Sequence, residues 1–500
     1  MKSFAPLEIW FVTGSQHLYG EETLRQVEKD SREIASSLDA DKNLPAPVVF
    51  KALVTTPDEV LKVCVEASAS DTCIGVITWM HTFSPAKMWI KGLLRLTKPL
   101  LHLHTQMSRD IPWAEIDMDY MNLNQSAHGG REYGHLVSRL RKNREVVVGH
   151  WKDPEVIGEV ADWIRAAAGW HKTRTLKVAR FGDNMREVAV TEGDKVGAQI
   201  QFGYEVSGYG IGELASRVAA VSQAQVDRLV DEYRGSYQDK SGSNRHRLAS
   251  AARIELGLKA FLEEGGFSAF TTTFEDLHGL DQLPGIAVQR LMAAGYGFGA
   301  EGDWKTAALT HVVKTMSSGL KGGTSFMEDY TYHLDPSQPL VLGAHMLEVC
   351  PSIAEEGSSP RLEVHPLGIG GKDDPPRLVF DSQPGPAVNA SLVTLGNRFR
   401  LILNAVDTVP LPHPMPRLPV AQVMWKPRPS LKVGAAAWIL AGGAHHTVYT
   451  QGASLRALEM YGAMAEVETL IIDEDTRLRE FKKEIRWNDA AYTVNSGNRF

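Results

Sequence analysis

The sequence predicts an α/β protein of several domains, and three observations support this. Its 500 residues exceed one ordinary domain, and a typical domain size of about 150 residues suggests about three. Apolar residues make up 43% and charged residues 23% of the chain, as in folded globular proteins. Strand and helix patterns alternate first and hairpin signals come later, so we expect parallel sheets followed by antiparallel strands.

The first domain is predicted to span residues 1–175 and to contain a parallel sheet. Its predicted strands are Glu8–Thr13, Val48–Val54, Ile74–Met80 and Pro99–His104. An amphipathic helix between Leu24 and Leu38 follows the first strand. Thr56-Pro-Asp-Glu59 has the spacing of a capping box and begins a second helix. Ser84-Pro85 begins a further helix.

The second domain is predicted to span residues 176–325, after a helix at Pro154–Ala168. Its strands are Leu176–Phe181 and Phe270–Thr273, and a helix is predicted at Trp304–Met316. The polar, Gly- and Ser-rich stretch Gly235–Arg247 is predicted to be a surface loop.

The third domain, residues 326–500, is predicted to be mostly antiparallel β-structure. Gly396-Asn397 between Ser391–Leu395 and Arg398–Leu403 is the strongest hairpin signal in the chain. A late helix is expected around Ser454–Ala463.

Charge, hydropathy and cysteine content exclude several classes of partner. The formal net charge is −7 (53 basic and 60 acidic residues), which argues against a nucleic-acid binder. The longest apolar stretch, Gly434–Ala444, is shorter than the ~20 residues of a membrane-spanning helix. The apolar run near the N-terminus is too short for a signal peptide. Three cysteines without a CxxC pair favour a reducing cytoplasm over a disulfide framework.

Several familiar catalytic signatures are missing. No GxGxxG fingerprint follows a predicted strand, and Gly368-Ile-Gly-Gly-Lys372 is followed by Asp373 rather than Ser or Thr. No HExxH or GxSxG motif occurs. We therefore expect no nucleotide cofactor and no hydrolase-type acyl transfer.

Two acids in the middle of the chain are candidates for chemistry. Glu301 lies in a Gly-flanked turn immediately before the predicted helix Trp304–Met316, and Glu328 lies beside aromatic residues. The alternative interpretation of Glu301 is a helix-start acid favoured by the helix dipole. The alternative for Glu328 is a solvated surface acid.

Three histidine positions are further candidates. His345 lies in the apolar, strand-like segment Gly343–Cys350, where it could also be a hydrogen-bonded core histidine. The pair His445-His446 follows a Gly-Gly turn, and adjacent imidazoles point in different directions. His128 precedes two glycines in a polar loop, which could equally be a turn before a helix.

These residues suit a divalent cation, but spacing alone does not bring them together. Glu301, Glu328, His345 and His446 are separated by 27, 17 and 101 positions. Two carboxylates and two imidazoles suit Mn²⁺, Co²⁺ or Mg²⁺. From the residues alone, a hard-to-borderline metal site is a hypothesis.

Over nearly its whole length the sequence closely resembles the L-arabinose isomerase family of bacterial enzymes. The motifs that carry the resemblance are Trp10-Phe-Val-Thr-Gly-Ser-Gln-His-Leu-Tyr-Gly20, His81-Thr-Phe-Ser-Pro-Ala-Lys-Met-Trp89, Met121-Asn-Leu-Asn-Gln-Ser-Ala-His-Gly-Gly-Arg-Glu132, Arg180-Phe-Gly-Asp-Asn-Met-Arg-Glu-Val-Ala-Val190, Thr271-Thr-Thr-Phe-Glu-Asp-Leu-His-Gly279, Glu301-Gly-Asp-Trp-Lys305, Gly323-Thr-Ser-Phe-Met-Glu-Asp-Tyr-Thr-Tyr-His333 and Gly442-Gly-Ala-His-His-Thr447. Several long motifs in one order are far more specific than any single motif.

The resemblance implies a fold similar to that of L-fucose isomerase, with two Rossmann-like parallel-sheet domains followed by a mostly antiparallel β C-terminal domain. It implies a Mn²⁺ site (with Co²⁺ or Mg²⁺ as alternatives) on Glu301, Glu328, His345 and His446. The substrate contacts that it implies are Gln16, Leu18, Tyr19, His128, Met185, Phe274 and Ile369. It also implies a cytoplasmic homohexamer in which the N-terminal motifs of one subunit close a neighbour's site.

The implied reaction interconverts L-arabinose and L-ribulose, the first step of L-arabinose catabolism, with D-galactose to D-tagatose as a side activity. Glu301 and Glu328 would share the proton transfers, with base and acid unassigned, and His128 would assist ring opening. The alternatives are a related aldose isomerase, such as one for L-fucose, and a non-catalytic sugar-binding protein.

Overall fold

The computed structural model describes residues 2–367 and 371–496, which form two compact units, Met1–His171 and Lys172–Phe500. Both units contain a parallel sheet flanked by helices, and the second also contains an antiparallel β-barrel. The α/β fold class, with two parallel sheets and an antiparallel C-terminal part, is confirmed. The three-domain division at residues 175 and 325 stays a prediction.

The first unit is built on a five-stranded parallel sheet. Its strands are β1 (Glu8–Gly14), β2 (Val48–Val54), β3 (Cys73–Met80), β4 (Leu100–His104) and β5 (Glu145–Val148). Its helices are α1 (Gly20–Ala40), α2 (Pro57–Ala69), α3 (Ile90–Arg95), α4 (Met118–Leu123), α5 (Ser126–Arg139) and α6 (Pro154–Thr173). The strand order β2-β1-β3-β4-β5 is that of a doubly wound sheet, whose order reverses between β1 and β3.

The predicted elements of the first unit agree closely with the structure. The four predicted strands and the helix between Leu24 and Leu38 are confirmed. The Thr56 hydroxyl accepts a hydrogen bond from the Glu59 amide, and the Glu59 carboxylate accepts one from the Thr56 amide, which confirms the capping box. The short fifth strand, β5, was not predicted.

The second unit begins with a four-stranded parallel sheet. Its elements are β6 (Lys177–Phe181), α7 (Lys195–Phe202), β7 (Glu205–Tyr209), α8 (Ile211–Ala219), α9 (Gln223–Ser236), β8 (Gln238–Asp239), α10 (Arg245–Gly265), β9 (Ala269–Thr272), α11 (Gly285–Ala293), β10 (Gly297–Gly299) and α12 (Trp304–Met316). The sheet order is β10-β9-β6-β7, and β8 instead joins a small sheet formed further along the chain.

The prediction of a loop over Gly235–Arg247 is wrong at both ends. The segment begins inside α9, contains β8, and ends inside α10. These elements carry mainly polar side chains, which is why the segment was predicted as a loop. Arg245, for example, begins α10 on the surface and pairs with Asp227 and Asp231.

The rest of the second unit contains a closed antiparallel barrel, two strands that join β8 in a separate small sheet, and helices. Its strands are β11 (Thr324–His333), β12 (Leu340–Ala344), β13 (Arg361–Val364), β14 (Pro376–Val379), β15 (Gly385–Thr394), β16 (Phe399–Val409), β17 (Val423–Pro427), β18 (His446–Thr450) and β19 (Glu468–Ile472). Its helices are α13 (Leu431–Leu440), α14 (Leu455–Met464) and α15 (Leu478–Ser496).

Six of these strands close the barrel through antiparallel pairs. The order β15-β18-β11-β12-β17-β16 returns to β15, and β19 adds to β16 in parallel. The predicted hairpin is confirmed, since β15 and β16 pair up to Thr394 and Phe399. Leu395 lies in the turn rather than in the strand. His345 was predicted inside a strand-like segment, but β12 ends at Ala344 and the chain turns there.

Candidate metal centre

The carboxyl-terminal edge of the second unit's parallel sheet gathers residues from three loops. Met185 follows β6, Phe274 follows β9 and Glu301 follows β10. Because β6, β9 and β10 are parallel neighbours, their carboxyl ends lie at one edge. Doubly wound sheets bind ligands at this edge, where the strand order reverses. The sheet therefore carries three of the candidate residues to one place.

Glu301 is held in an uncommon backbone conformation. Its φ is 59°, in the left-handed region that non-glycine residues rarely adopt. Its carbonyl oxygen accepts a hydrogen bond of 2.9 Å from the Met185 amide. Two residues later Asp303 caps α12 by accepting a hydrogen bond from the Thr306 amide. The tight turn between β10 and α12 thus fixes the start of the Glu301 side chain.

The barrel supplies the other acid and the imidazoles. Glu328 on β11 pairs with His446 on β18, and on its other side with Ala344 at the end of β12. His345 is therefore the first residue beyond a strand that borders Glu328. Side chains alternate along a strand, so Glu328 and His446 point away from Met327 and Tyr449, which pack in the hydrophobic core.

The four predicted side chains form one cluster. The Glu328 Oε1 atom lies 3.3 Å from His345 Nε2 and 3.3 Å from His446 Nε2. The Glu301 Oε2 atom lies 3.6 Å from His446 Nε2 and 3.7 Å from His445 Nε2. His446 is fully buried, whereas the side chain of His445 is 44% exposed. Both imidazoles of the pair therefore approach the same Glu301 oxygen.

Each buried imidazole is oriented by a second carboxylate. His446 Nδ1 lies 3.1 Å from Asp303 Oδ2, and His345 Nδ1 makes a short contact with Glu348 Oε2. A carboxylate that accepts the Nδ1 proton leaves the Nε2 lone pair free, which is how metal-binding histidines are commonly held. Asp303 and Glu348 were not among the predicted residues. In the sequence, Glu348 is indicated only by its spacing His345-x-x-Glu348, and Asp303 only by its position at the start of a helix.

The electrostatics of the cluster favour positive charge at its centre. Burial alone would lower the pKa of His446, but the neighbouring carboxylates of Asp303 and Glu328 raise it to about 9. Burial would likewise raise the pKa of Glu328, but His345 and His446 hold it well below its usual value. Glu328 thus stays ionised, and its charge stabilises a cation placed beside it.

The donor set fits a divalent cation. Glu301, His445 and His446 offer one ligand atom each within 4.8 Å of one another, and Glu328 borders the same group. The buried His446 Nε2 atom makes no well-directed hydrogen bond. An unpartnered imidazole nitrogen among carboxylate oxygens is a suitable ligand for Mn²⁺, Co²⁺ or Mg²⁺. It is less suited to an ion that prefers thiolate ligands.

A pocket lies beside this cluster and is largely apolar. It is lined by Thr272, Phe274, Leu277, Leu283, Pro284, Phe298, Ala300, Glu301, His345, Met346, Leu347 and Glu348. Phe274, a predicted substrate contact, therefore shares a pocket with Glu301 and His345. Small-molecule sites commonly combine an apolar lining with a few convergent polar groups.

Four predicted site residues belong to the first unit. Gln16, Leu18 and Tyr19 follow the carboxyl end of β1, and Leu18 is 83% exposed. His128 is an exposed residue of α5 whose ring packs 4.8 Å from Phe83, just beyond β3. The four residues thus lie at the β1–β3 position, where this sheet's strand order reverses. Ile369 lies outside the described residues.

One glycine motif was overlooked in the sequence. Gly297-Phe-Gly-Ala-Glu-Gly302 has the spacing GxGxxG, but its first two glycines lie within β10. A Cβ atom on Gly299 would lie 2.4 Å from the Asp303 carbonyl oxygen, and one on Gly302 would lie 2.6 Å from the Asn184 Cα. These glycines allow β10, α12 and the loop after β6 to pack closely around Glu301.

Two parallel α/β sheets, an antiparallel barrel and a buried carboxylate–imidazole cluster define a multidomain α/β enzyme with a candidate divalent-metal centre. No helix in residues 2–367 and 371–496 is both long and apolar enough to cross a membrane.

Comparisons with known proteins identify the family. Models of the N-terminal, central and C-terminal domains of L-arabinose isomerase match residues 3–175, 177–319 and 323–468. The chain is 62% identical over 494 residues to the L-arabinose isomerase of Geobacillus stearothermophilus, covering 98% of this chain and 99% of that protein. It is 57% identical over 499 residues to that of Pectobacterium carotovorum, covering 99% of each. The chain therefore belongs to the L-arabinose isomerase family and is an isomerase.

Proposed function

We propose that this protein interconverts L-arabinose and L-ribulose by metal-assisted proton transfer. The observation that carries the proposal is the cluster of Glu301, Glu328, His345 and His446 at the sheet edge. Moving a carbonyl from C1 to C2 requires removal of the C2 proton and return of a proton to C1. Two carboxylates beside the substrate can accept and donate these protons, and no hydride acceptor is needed.

The same four residues are proposed to hold a divalent cation, Mn²⁺ first and Co²⁺ or Mg²⁺ as alternatives. A divalent cation bound there supplies Lewis-acid stabilisation of the negative charge that develops on the substrate oxygens. We place His446 rather than His445 among the ligands, because His446 is buried and Asp303 orients it. His445, near Glu301 but half exposed, is then free to contact solvent or substrate.

Glu301 and Glu328 are proposed to share the proton transfers, with base and acid not assigned between them. The lowered pKa of Glu328, caused by His345 and His446 against the effect of burial, keeps its carboxylate ionised, as a metal ligand and a general base both require. The left-handed backbone of Glu301 is a strained conformation of the kind that concentrates at active sites. It fixes the carboxylate before substrate binds.

Substrate contacts are proposed at both sheet edges. In the second unit these are Met185 and Phe274, and Phe274 lines the pocket beside the acids. The others proposed are Gln16, Leu18, Tyr19 and Ile369, with His128 assisting ring opening. Since the first-unit residues are exposed or half-exposed, they are available to a neighbouring subunit. A homohexamer with shared sites is the proposed assembly.

The proposed physiological role is the first step of L-arabinose catabolism in the cytoplasm, within a chain of three domains that meet at residues 175 and 325. D-Galactose to D-tagatose conversion is proposed as a side activity, because D-galactose and L-arabinose differ only beyond the reacting carbons. The acidic net charge supports a small-molecule substrate over a nucleic acid.

Replacing Glu328 with Gln tests the proposal directly. The variant keeps the shape of the side chain but cannot accept a proton, so we expect ketose formation to fall by about 10²–10⁴-fold. Ketose is measured with L-arabinose and a panel of other aldoses, after chelation and again after Mn²⁺ is added. Lys314→Met, on α12 away from the cluster, serves as the control variant. Near-normal turnover by Glu328→Gln, or activity indifferent to chelation, would contradict the mechanism.

A further inference from the structure

Lys305 is a buried lysine next to the metal cluster but not part of it. Its side chain is 1% exposed, although it is the second residue of α12 and its sequence position resembles that of an ordinary surface cation. Lysine is almost never fully buried unless its charge is paired. The Lys305 ammonium therefore has a specific set of partners, and these partners explain its position.

The ammonium has three oxygen partners. Lys305 Nζ forms an ion pair with Asp303 Oδ1 at 3.0 Å and donates hydrogen bonds to the carbonyl oxygens of Thr191 and Glu192, at 2.9 and 2.8 Å. The buried charge is therefore paired, and two of its N–H groups are hydrogen-bonded. One side chain thus joins Asp303 to the end of the loop that follows β6.

Asp303 in turn reaches the metal cluster. Its Oδ2 atom lies 3.1 Å from His446 Nδ1 and accepts a 2.7 Å hydrogen bond from the Thr306 hydroxyl. Both carboxylate oxygens therefore have partners, and the carboxylate has no freedom to rotate away from His446. A continuous path of buried polar contacts runs from the loop through Lys305 and Asp303 to His446.

The loop is attached to the turn around Glu301 at two more points. The Asn184 side-chain amide donates to the carbonyl oxygens of Thr191 and Gly302, at 2.6 and 3.1 Å. The Met185 amide donates to the Glu301 carbonyl oxygen. Residues 184–192 are therefore linked by polar contacts both to the backbone of Glu301 and, through Lys305 and Asp303, to His446.

We propose that Lys305 is a positioning residue that anchors the 184–192 loop to Asp303 and so holds His446 with Nε2 directed at Glu301 and Glu328. The inference rests on the proposed function, since His446 is proposed to bind the cation. It adds a residue that touches neither substrate nor cation. Its effect depends on geometry, because the ammonium aligns the carboxylate that aligns the imidazole.

The test compares Lys305→Met with Lys314→Met. Both lysines lie on α12 and donate to backbone carbonyls, but Lys314 donates to Thr324 and contacts Cys350, outside the Asp303 network. Electron paramagnetic resonance measures free Mn²⁺ during titration of the metal-depleted full-length protein. We expect Lys305→Met to weaken Mn²⁺ binding by about 10- to 100-fold, as loss of outer-shell partners does, and Lys314→Met to bind like the wild type.

Hydrogen exchange measured without metal separates this inference from the proposed metal role. We expect peptides covering residues 184–192 and 445–450 to exchange faster in Lys305→Met than in the wild type or Lys314→Met. If the wild type binds no Mn²⁺, the metal proposal fails, and the exchange data alone decide whether the anchor exists. Unchanged exchange in both peptides, or equal effects of the two lysine substitutions, would overturn the inference.

Two further variants keep the test decisive if Lys305→Met does not fold. Lys305→Arg retains charge and donors and should recover part of the lost Mn²⁺ affinity, whereas a merely space-filling role predicts no recovery. Thr306→Val removes only the hydroxyl that donates to Asp303, and we expect roughly fivefold weaker Mn²⁺ binding. Wild-type affinity in Thr306→Val together with no recovery in Lys305→Arg would reject the positioning role.

Discussion

The carboxyl-terminal edges of the two parallel sheets in this chain differ in which residues they bury and which they expose. In the second unit, the loops after the strands carry acids that are largely buried, and buried contacts hold these loops to one another. In the first unit, Leu18 after β1 and His128 on α5 are exposed, while polar pairs are buried nearby, such as Ser15–Thr82 and His81–Asp30. One edge is thus organised for charge stabilisation, and the other presents a surface. We infer that the proton transfers between C1 and C2 belong to the second edge, and that the first contributes substrate binding and ring opening.

Glu301 provides the sharpest test of that division. Glu301→Gln removes a carboxylate from the buried edge, and we expect kcat to fall by about 10²–10⁴-fold with L-arabinose. Leu18→Ala removes an exposed side chain from the other edge, and we expect it to raise KM while kcat changes little, since a binding contact is lost rather than a proton acceptor. Steady-state kinetics at saturating Mn²⁺ measures both. Equal losses of kcat in the two variants would mean that the edges are not divided in this way.

Acid should weaken the first unit through a buried histidine. Burial, aided by His104 and Arg144, lowers the pKa of His102 on β4 to about 3, compared with about 6.5 in an unfolded chain. Below about pH 6.5, His102 takes up a proton in the unfolded chain but not in the folded chain. Its contribution to the free energy of unfolding is therefore fully present above pH 6.5 and is lost as the pH falls toward 3. Between pH 7.5 and 5 we expect His102 to account for a loss of about 2 kcal/mol.

His102→Gln isolates this contribution. His311 in the second unit has its pKa lowered to about 4 by burial, so the wild type loses stability from both units over a similar pH range. Denaturant unfolding followed by tryptophan fluorescence at pH 7.5 and 5 should show a smaller pH dependence in His102→Gln than in the wild type. The same pH dependence in both proteins would show that His102 does not remain neutral in the folded state.

The comparison of the units also shows what sequence patterns can predict. Val48–Val54 was predicted with its observed bounds because it is an apolar run ended by a helix cap. The β5 strand was missed because it has four residues, most of them not buried. The α15 helix extends beyond Trp487, where the sequence pattern was uninformative. Local patterns therefore define long elements well and short or exposed ones poorly.

The site shows a different limit. Glu301, Glu328, His345 and His446 are suited to metal binding by type, but the barrel register that pairs Glu328 with His446 brings residues 118 positions apart into contact, as their numbers show. The resemblance to a family supplied that grouping, and residue spacing did not. Lys305 was not singled out, because nothing in a Trp-Lys-Thr sequence indicates that α12 is buried on nearly every side. Contacts that depend on tertiary packing leave little local signal.

The smallest expected effect concerns two helix caps with the same local role. Thr56 in the first unit and Asp303 in the second each accept a hydrogen bond from an amide of the first helical turn. Thr56 serves only its helix and is partly exposed, so Thr56→Ala should cost about 1 kcal/mol of stability and leave kcat and KM unchanged. Thr56→Ser, which keeps the hydroxyl, should restore most of the loss in denaturant unfolding. A change in kcat with Thr56→Ala would show that the first unit influences the chemical step. Asp303 differs because one carboxylate oxygen caps α12 while the other contacts His446. A helix cap thus becomes part of the site only where a second acceptor atom of the capping side chain reaches a functional residue.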